Sequence, residues 1–154
     1  MRYIKAQHRG RALWITFDRP EKLNILHPED LSELGDVITD LASGVQAIVF
    51  TGAGQAAFSA GMNSEAFVGL TPARAHALIG DLAQVMRAIR HSPVVTVAAV
   101  SGYCLGAAFE LALACDLRVV APTASFGLPE IKVGVPASHR RGSAARLCRT
   151  QQGA

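Results

Sequence analysis

Two glutamates and two small-residue turns hold most of the chemistry this chain could perform. Glu110 lies within Ala107-Ala108-Phe109-Glu110-Leu111-Ala112-Leu113-Ala114, where every neighbour is apolar. Glu130 follows 20 residues later, after Phe126-Gly127-Leu128-Pro129. A carboxylate in such surroundings pairs, hydrogen-bonds, or has its pKa raised to a value suited to proton transfer. The two turns are Ala60-Gly61-Met62-Asn63 and Gly106-Ala107-Ala108. Small residues let backbone N–H groups approach a ligand closely, and the second turn falls where a helix should begin. Unpaired N–H groups and the positive end of the dipole gather there. Two such amides aimed at one point would form an oxyanion hole, in which a single donor is typically worth about 2.7–4 kcal/mol. Glu110 comes three residues after Ala107 and so shares nearly the same face of the expected helix. Taken singly, these features fit plain structure equally well: satisfied acids and close helix–strand packing. Together, two carboxylates near two exposed amides suit acid–base chemistry beside a carbonyl.

Other chemistries find little support. Gly52-Ala53-Gly54-Gln55-Ala56-Ala57 matches G-x-G-x-x-A after a strand. That fingerprint should open a helix at once, with a further strand and an acid about 20 residues on. Phe58-Ser59-Ala60-Gly61 intervenes instead, so a strand-to-loop connection is the better reading. No Gly-Lys-Ser/Thr triplet provides a phosphate loop. His8, His27, His76, His91 and His139 show no metal-ligand spacing, and Cys104, Cys115 and Cys148 form no C-x-x-C, so no metal is expected. Cys104 and Ser59 could be imagined as nucleophiles, but no neighbouring motif supplies a base.

The rest of the chain must position these groups. Its 154 residues are half hydrophobic and 18% charged, which fits one packed globular domain. The cysteines, odd in number and without a disulfide spacing, are expected as reduced thiols. The net charge of +3 suggests nucleic acid only superficially. Arg140, Arg141, Arg146 and Arg149 all follow Pro136, and without them 11 basic residues face 12 acidic ones. No nucleic-acid partner is therefore expected. Met1-Arg2-Tyr3-Ile4-Lys5 begins directly with strand-like alternation, so no signal peptide is expected. Pro93 to Val100 is too short to span a bilayer, and a cytoplasmic protein without membrane partners is the default.

Tyr3–Gln7 and Ala12–Phe17 read as strands of a hairpin around Arg9-Gly10-Arg11. Pro28 suits the first turn of a helix bearing Leu31, Leu34, Ile38 and Leu41, closed by Gly44. Ala47–Thr51 is a short buried strand. Thr71-Pro72 opens a second helix with Leu78, Leu82, Val85 and Ile89 inward, ending at Ser92-Pro93. Val94–Val100 is a further strand, Gly106–Cys115 a small-residue helix, and Leu117–Val120 another strand. This alternation predicts a parallel α/β arrangement. From Ala137 the apolar periodicity stops, dividing the chain into a core over 1–136 and a basic tail over 137–154.

At this level of detail the sequence resembles the enoyl-CoA hydratase/isomerase, or crotonase, superfamily from about Ile4 to Pro136. The carriers are Asp18-Arg19-Pro20-Glu21-Lys22-Leu23-Asn24-Ile25-Leu26, Phe58-Ser59-Ala60-Gly61-Met62-Asn63, Ala99 to Asp116, and Phe126 to Gly134. The resemblance implies an α/β spiral of ββα units and a coenzyme A thioester as substrate, with no separate cofactor. It assigns the oxyanion donors to the amides of Met62 and Ala107, and the catalytic acids to Glu110 and Glu130. True hydratases hold a water between two such glutamates, whereas isomerases and many other members keep one. Hydration of a 2-enoyl-CoA is therefore the favoured expectation. An isomerase, another enolate-forming relative, or an inactive relative that still binds coenzyme A are the alternatives. Substrate contacts are implied for Lys22, Leu23, Ala60, Gly61, Asn63, Ser64, Glu65 and Gly106.

The chain also departs from the family pattern. Ala107 stands where glycine is common, Met62 where alanine is usual, and Asn63 where aspartate is usual. Family members are longer, and their continuation walls the acyl tunnel and joins subunits. A truncated or frameshifted chain after about Pro136 is the expectation from sequence. The homo-oligomer implied by the family, a trimer or hexamer, would then lack its usual helices.

Overall fold

A computed structural model describes residues 3–129. Glu130, the boundary expected at 136, and the basic tail lie outside the described residues. Along the chain run β1 (Ile4–Arg9), β2 (Ala12–Phe17), α1 (Pro28–Thr39), β3 (Ala47–Gly52), β4 (Ala57–Ser59), α2 (Pro72–Arg90), β5 (Val95–Val100), β6 (Tyr103–Leu105), α3 (Ala107–Ala114), β7 (Leu117–Val120) and β8 (Ser125–Gly127). Strand, strand and helix thus recur three times before a final strand pair. The first strand of each unit, with β2, joins a five-stranded sheet in the order β1-β2-β3-β5-β7. The second strands form a three-stranded sheet, β4-β6-β8. Among the described strands, β1 and β2 pair antiparallel, through the hairpin at Gly10, and the other strand pairs are parallel. The result is the expected α/β spiral of ββα units.

Side-chain alternation sets the core. In β2, Leu13, Ile15 and Phe17 point to the buried face, and their neighbours are only partly covered. The parallel register carries this face across the sheet, with Leu13 beside Ile48 and Ile48 beside Thr96. In the same way Ile15 stands beside Phe50, and Phe50 beside Ala98. Leu31, Leu34 and Ile38 of α1 and Leu78, Leu82, Val85 and Ile89 of α2 close over it at helical spacing. Each fully buried Leu, Ile or Phe contributes about 1.5–3 kcal/mol relative to exposure. The helix starts follow their sequence signals. Pro28 and Pro72 lie in the first turns, and Thr71 Oγ1 accepts from the Arg74 N–H at 3.3 Å. Leu41, expected on the first helix, falls beyond its end at Thr39 but still packs on the core.

Three strands depart from expectation. Ala57–Ser59, Tyr103–Leu105 and Ser125–Gly127 fall in stretches read as loop or turn. Each has three residues, too few to display a period of two, and each is a strand only because its neighbour is.

A side-chain clasp joins β5 to the end of α3. The Thr96 N–H and hydroxyl both donate to the Asp116 carboxylate at 2.8 Å, and the Asp116 N–H donates to Thr96 Oγ1 at 3.0 Å. The backbone hydrogen bond from Thr96, aided by its hydroxyl, holds the Asp116 carboxyl below the usual aspartate range. A carboxyl whose folded pKa is depressed adds stability above its unfolded pKa, and that stability is lost as pH falls through the folded value. The melting temperature of Asp116→Asn should therefore lie below that of the unaltered chain at neutral pH. The gap should close under acid, below about pH 4, where an ordinary aspartate protonates. A pH series of thermal melts checks this. Arg118 completes the clasp by donating to the carbonyls of Ala112 at 3.0 Å and Cys115 at 2.8 Å, which caps the last turn of α3.

Candidate active site

The helix α3 brings the site residues to one place. Its eight residues are apolar apart from Glu110, so it is a core helix rather than an amphipathic one. Ala108, Leu111 and Ala112 are fully buried, and Glu110 is 4% exposed. Gly106 precedes the helix at φ 54° and ψ −127°, a conformation that glycine adopts without strain. The Gly106 N–H donates to the Gly127 carbonyl at 2.9 Å, fixing the helix start against β8. The rings of Phe109 and Phe126, with centroids 5.3 Å apart, hold the same two elements together. Ala107 is the first residue of α3, and its N–H has no carbonyl to meet within the helix.

Gly61 lies directly against this helix start. It has φ +88°, and a Cβ placed on it would lie 2.7 Å from the Leu105 carbonyl oxygen and 3.2 Å from the Ala107 nitrogen. A side chain is therefore excluded, and the two small-residue turns meet as backbone against backbone. Beside them runs the segment after the first hairpin. The Ala60 N–H donates to the Leu23 carbonyl at 2.9 Å, the Leu26 N–H to the Gly61 carbonyl at 2.9 Å, and the Asn63 N–H to the Leu26 carbonyl at 2.8 Å. This is a parallel bridge between Leu26 and Met62. In such a bridge the Met62 N–H points away from Leu26.

The structure therefore brings Ala60, Gly61, Met62, Gly106 and Ala107 together, with Leu23 alongside and Glu110 one turn further along α3. Lys22 is exposed at the end of a short 3-10 helix spanning Pro20–Lys22. Ser64 and Glu65 are exposed in a second 3-10 helix, and Asn63 caps it by accepting from the Glu65 N–H at 3.2 Å. Of the imagined nucleophiles, Cys104 is fully buried, and burial pushes its thiol up to about 12. Burial does the same to Cys115. Neither is a thiolate at neutral pH. Ser59 is fully buried as well, and its Oγ accepts from the Gly61 N–H at 3.1 Å. Among the described residues no group of three or more His, Cys, Asp or Glu side chains could hold a metal ion.

Asn24 is the residue that reading the sequence undervalued. It is 1% exposed, at φ +55°. Its amide donates to the carbonyls of Ala53 at 2.9 Å and Ala57 at 2.8 Å, and its Oδ1 accepts from the Arg19 N–H at 2.9 Å. Asn tolerates the left-handed region, and its two donors tie the segment that registers Met62 to the turn before β4 and to the first residue of β4. Asn24→Ala should lower stability by about 3 kcal/mol, because it strands buried carbonyls and adds left-handed strain. In urea unfolding, Asn24→Gly should recover only the strain component, about 1 kcal/mol.

Stacked ββα units, with two backbone turns meeting at the start of a buried helix, define a crotonase-type spiral. The chain belongs to the enoyl-CoA hydratase/isomerase family, whose model matches residues 9–149. It is 38% identical over 123 residues to a protein of Mycobacterium bovis named "Probable enoyl-CoA hydratase", covering 79% of this chain and 47% of the relative. It is 32% identical over 130 residues to a short-chain-enoyl-CoA hydratase of Clostridium acetobutylicum, covering 82% and 49%. The crystal structure of an enoyl-CoA hydratase from Bacillus anthracis superposes with a TM-score of 0.87 at 27% identity, covering 97% of this chain and 59% of that one. The chain thus spans about half the length of the curated relatives it matches. No helix among the described residues is long and apolar enough to cross a membrane.

Proposed function

We propose that this chain takes part in adding water to a 2-enoyl-CoA thioester. The observation that carries the reading is the seating of Gly61 against the Ala107 nitrogen. Met62 follows Gly61 directly, which supports pairing the Met62 amide with that of Ala107 at the positive end of α3. Two N–H donors there suit a thioester oxygen that gains negative charge as water adds to the β-carbon and an enolate forms. No side chain need change protonation for this, so the donors are ready before the charge develops. Glu110, one turn along, is the candidate to take a proton from the attacking water. Glu130, which matches the family's second acid, is the candidate to help protonate the α-carbon. The exposed backbone around Lys22 and Leu23, with Asn63, Ser64 and Glu65, is offered as the grip on the coenzyme A portion. Coenzyme A belongs to the substrate, and no further cofactor is called for. The trimer or hexamer expected from the family remains a proposal for the assembled protein, as does a cytoplasmic location.

Loss of conjugated-thioester absorbance on mixing the chain with crotonyl-CoA tests the reading. Hydration predicts a loss that both Glu110→Gln and Glu130→Gln suppress. An isomerase reading predicts that one of these changes is nearly silent when a 3-enoyl-CoA is the substrate. Coenzyme A binding without turnover would favour an inactive relative.

A further inference from the structure

We propose that Ser59 is a positioning residue for the anion-binding amides, an inference that rests on the function proposed above. Its hydroxyl is fully buried between elements that need no polar group for packing, with Ala57, Phe58 and Cys104 buried around β4 and its partner β6. A hydroxyl hidden this way is unfavourable unless it is hydrogen-bonded. Here its Oγ accepts from the Gly61 N–H at 3.1 Å, two residues along the chain. That bond closes a local turn, which fixes the peptide plane between Ala60 and Gly61. The next plane, between Gly61 and Met62, is held only at its carbonyl edge, since the Gly61 carbonyl accepts from the Leu26 N–H at 2.9 Å. All described peptides are trans, so the Met62 N–H points opposite to that carbonyl. Its direction then depends on the two dihedrals of Gly61, a residue at φ +88° with no side chain to restrain it. Ser59 anchors one side of this hinge and Leu26 the other. Removing the hydroxyl frees one plane, and the amide aimed at the substrate oxygen loses its alignment while the fold keeps its core.

The test compares two coenzyme A thioesters as binding probes for the 154-residue chain by titration calorimetry. Acetoacetyl-CoA can present an enolate oxygen to the amides, whereas butyryl-CoA presents a neutral thioester of similar size. The unaltered chain should prefer acetoacetyl-CoA. Ser59→Ala should lose about tenfold of that preference, the scale of one misaligned hydrogen bond, with little change toward butyryl-CoA. Ser59→Cys keeps a weak acceptor of similar size. It should fall between the two, and it carries the test if the alanine variant does not fold. A preference unchanged in the folded variants overturns the positioning role and leaves the functional reading intact, as does an equal loss toward both ligands. An unaltered chain that shows no preference overturns both.

Discussion

Replacing Glu110 with glutamine should slow hydration of crotonyl-CoA by about 10²–10⁴-fold, the usual contribution of a positioned acid or base. The side chain is 4% exposed on a helix whose other residues are all apolar. Glutamine matches glutamate in size and keeps hydrogen-bonding capacity, so α3 should keep its place. What glutamine cannot do is accept a proton at neutral pH. The loss should therefore appear in kcat, with KM little changed, since the carboxylate is asked to act on water rather than to hold coenzyme A. Thermal melting of the variant separates this outcome from unfolding. A folded Glu110→Gln chain at full rate would remove Glu110 from the chemistry and leave the amide pair and Glu130 as the proposed catalytic elements.

Gly61→Ala should be nearly as damaging for a different reason. The added Cβ would sit 2.7 Å from the Leu105 carbonyl oxygen and 3.2 Å from the Ala107 nitrogen, both backbone atoms that cannot swing aside. The residue must also hold φ +88°, where an L side chain is strained. Either the segment carrying Met62 retreats or the start of α3 does, and the two donors separate. Loss of one oxyanion donor lowers kcat by about 10²–10³-fold. Strain and displacement together should lower stability by about 2–3 kcal/mol. Gly80→Ala is the matched control. It lies within α2, its Cβ would meet nothing within 4 Å, and it should stabilise the helix by up to about 1 kcal/mol. Steady-state kinetics and urea unfolding of both variants check the contrast. A Gly61→Ala chain with unchanged kcat would show that the close approach to α3 does not matter for activity.

The legible parts of the fold were those with enough residues to show a pattern. Ala47–Gly52 and Val95–Val100 are apolar runs of strand length, and the two long helices repeat Leu, Val and Ile at helical spacing between proline starts. The second sheet was not legible. A three-residue strand such as Tyr103–Leu105 has no period, and it exists because Ala57–Ser59 on one side and Ser125–Gly127 on the other supply hydrogen-bonding partners. The site divides in the same way. Glu110 stood out because a lone carboxylate in an apolar helix needs a reason. Asn24 and Ser59 did not stand out, since small polar residues in turns are common. What distinguishes them is the identity of their partners, and Asn24 reaches carbonyls 29 and 33 residues away.

Sequence by itself therefore determined the longer local elements, the buried carboxylate and the family. Each depends on residue type and spacing along the chain, and the family motifs are short enough to be read without coordinates. Only the tertiary structure decided that Gly61 packs on the start of α3, that Leu26 registers Met62, and that Ser59 and Asn24 anchor the segments between. Each of these contacts has a backbone N–H or carbonyl on at least one side, and a backbone group carries no residue type from which its partner could be read.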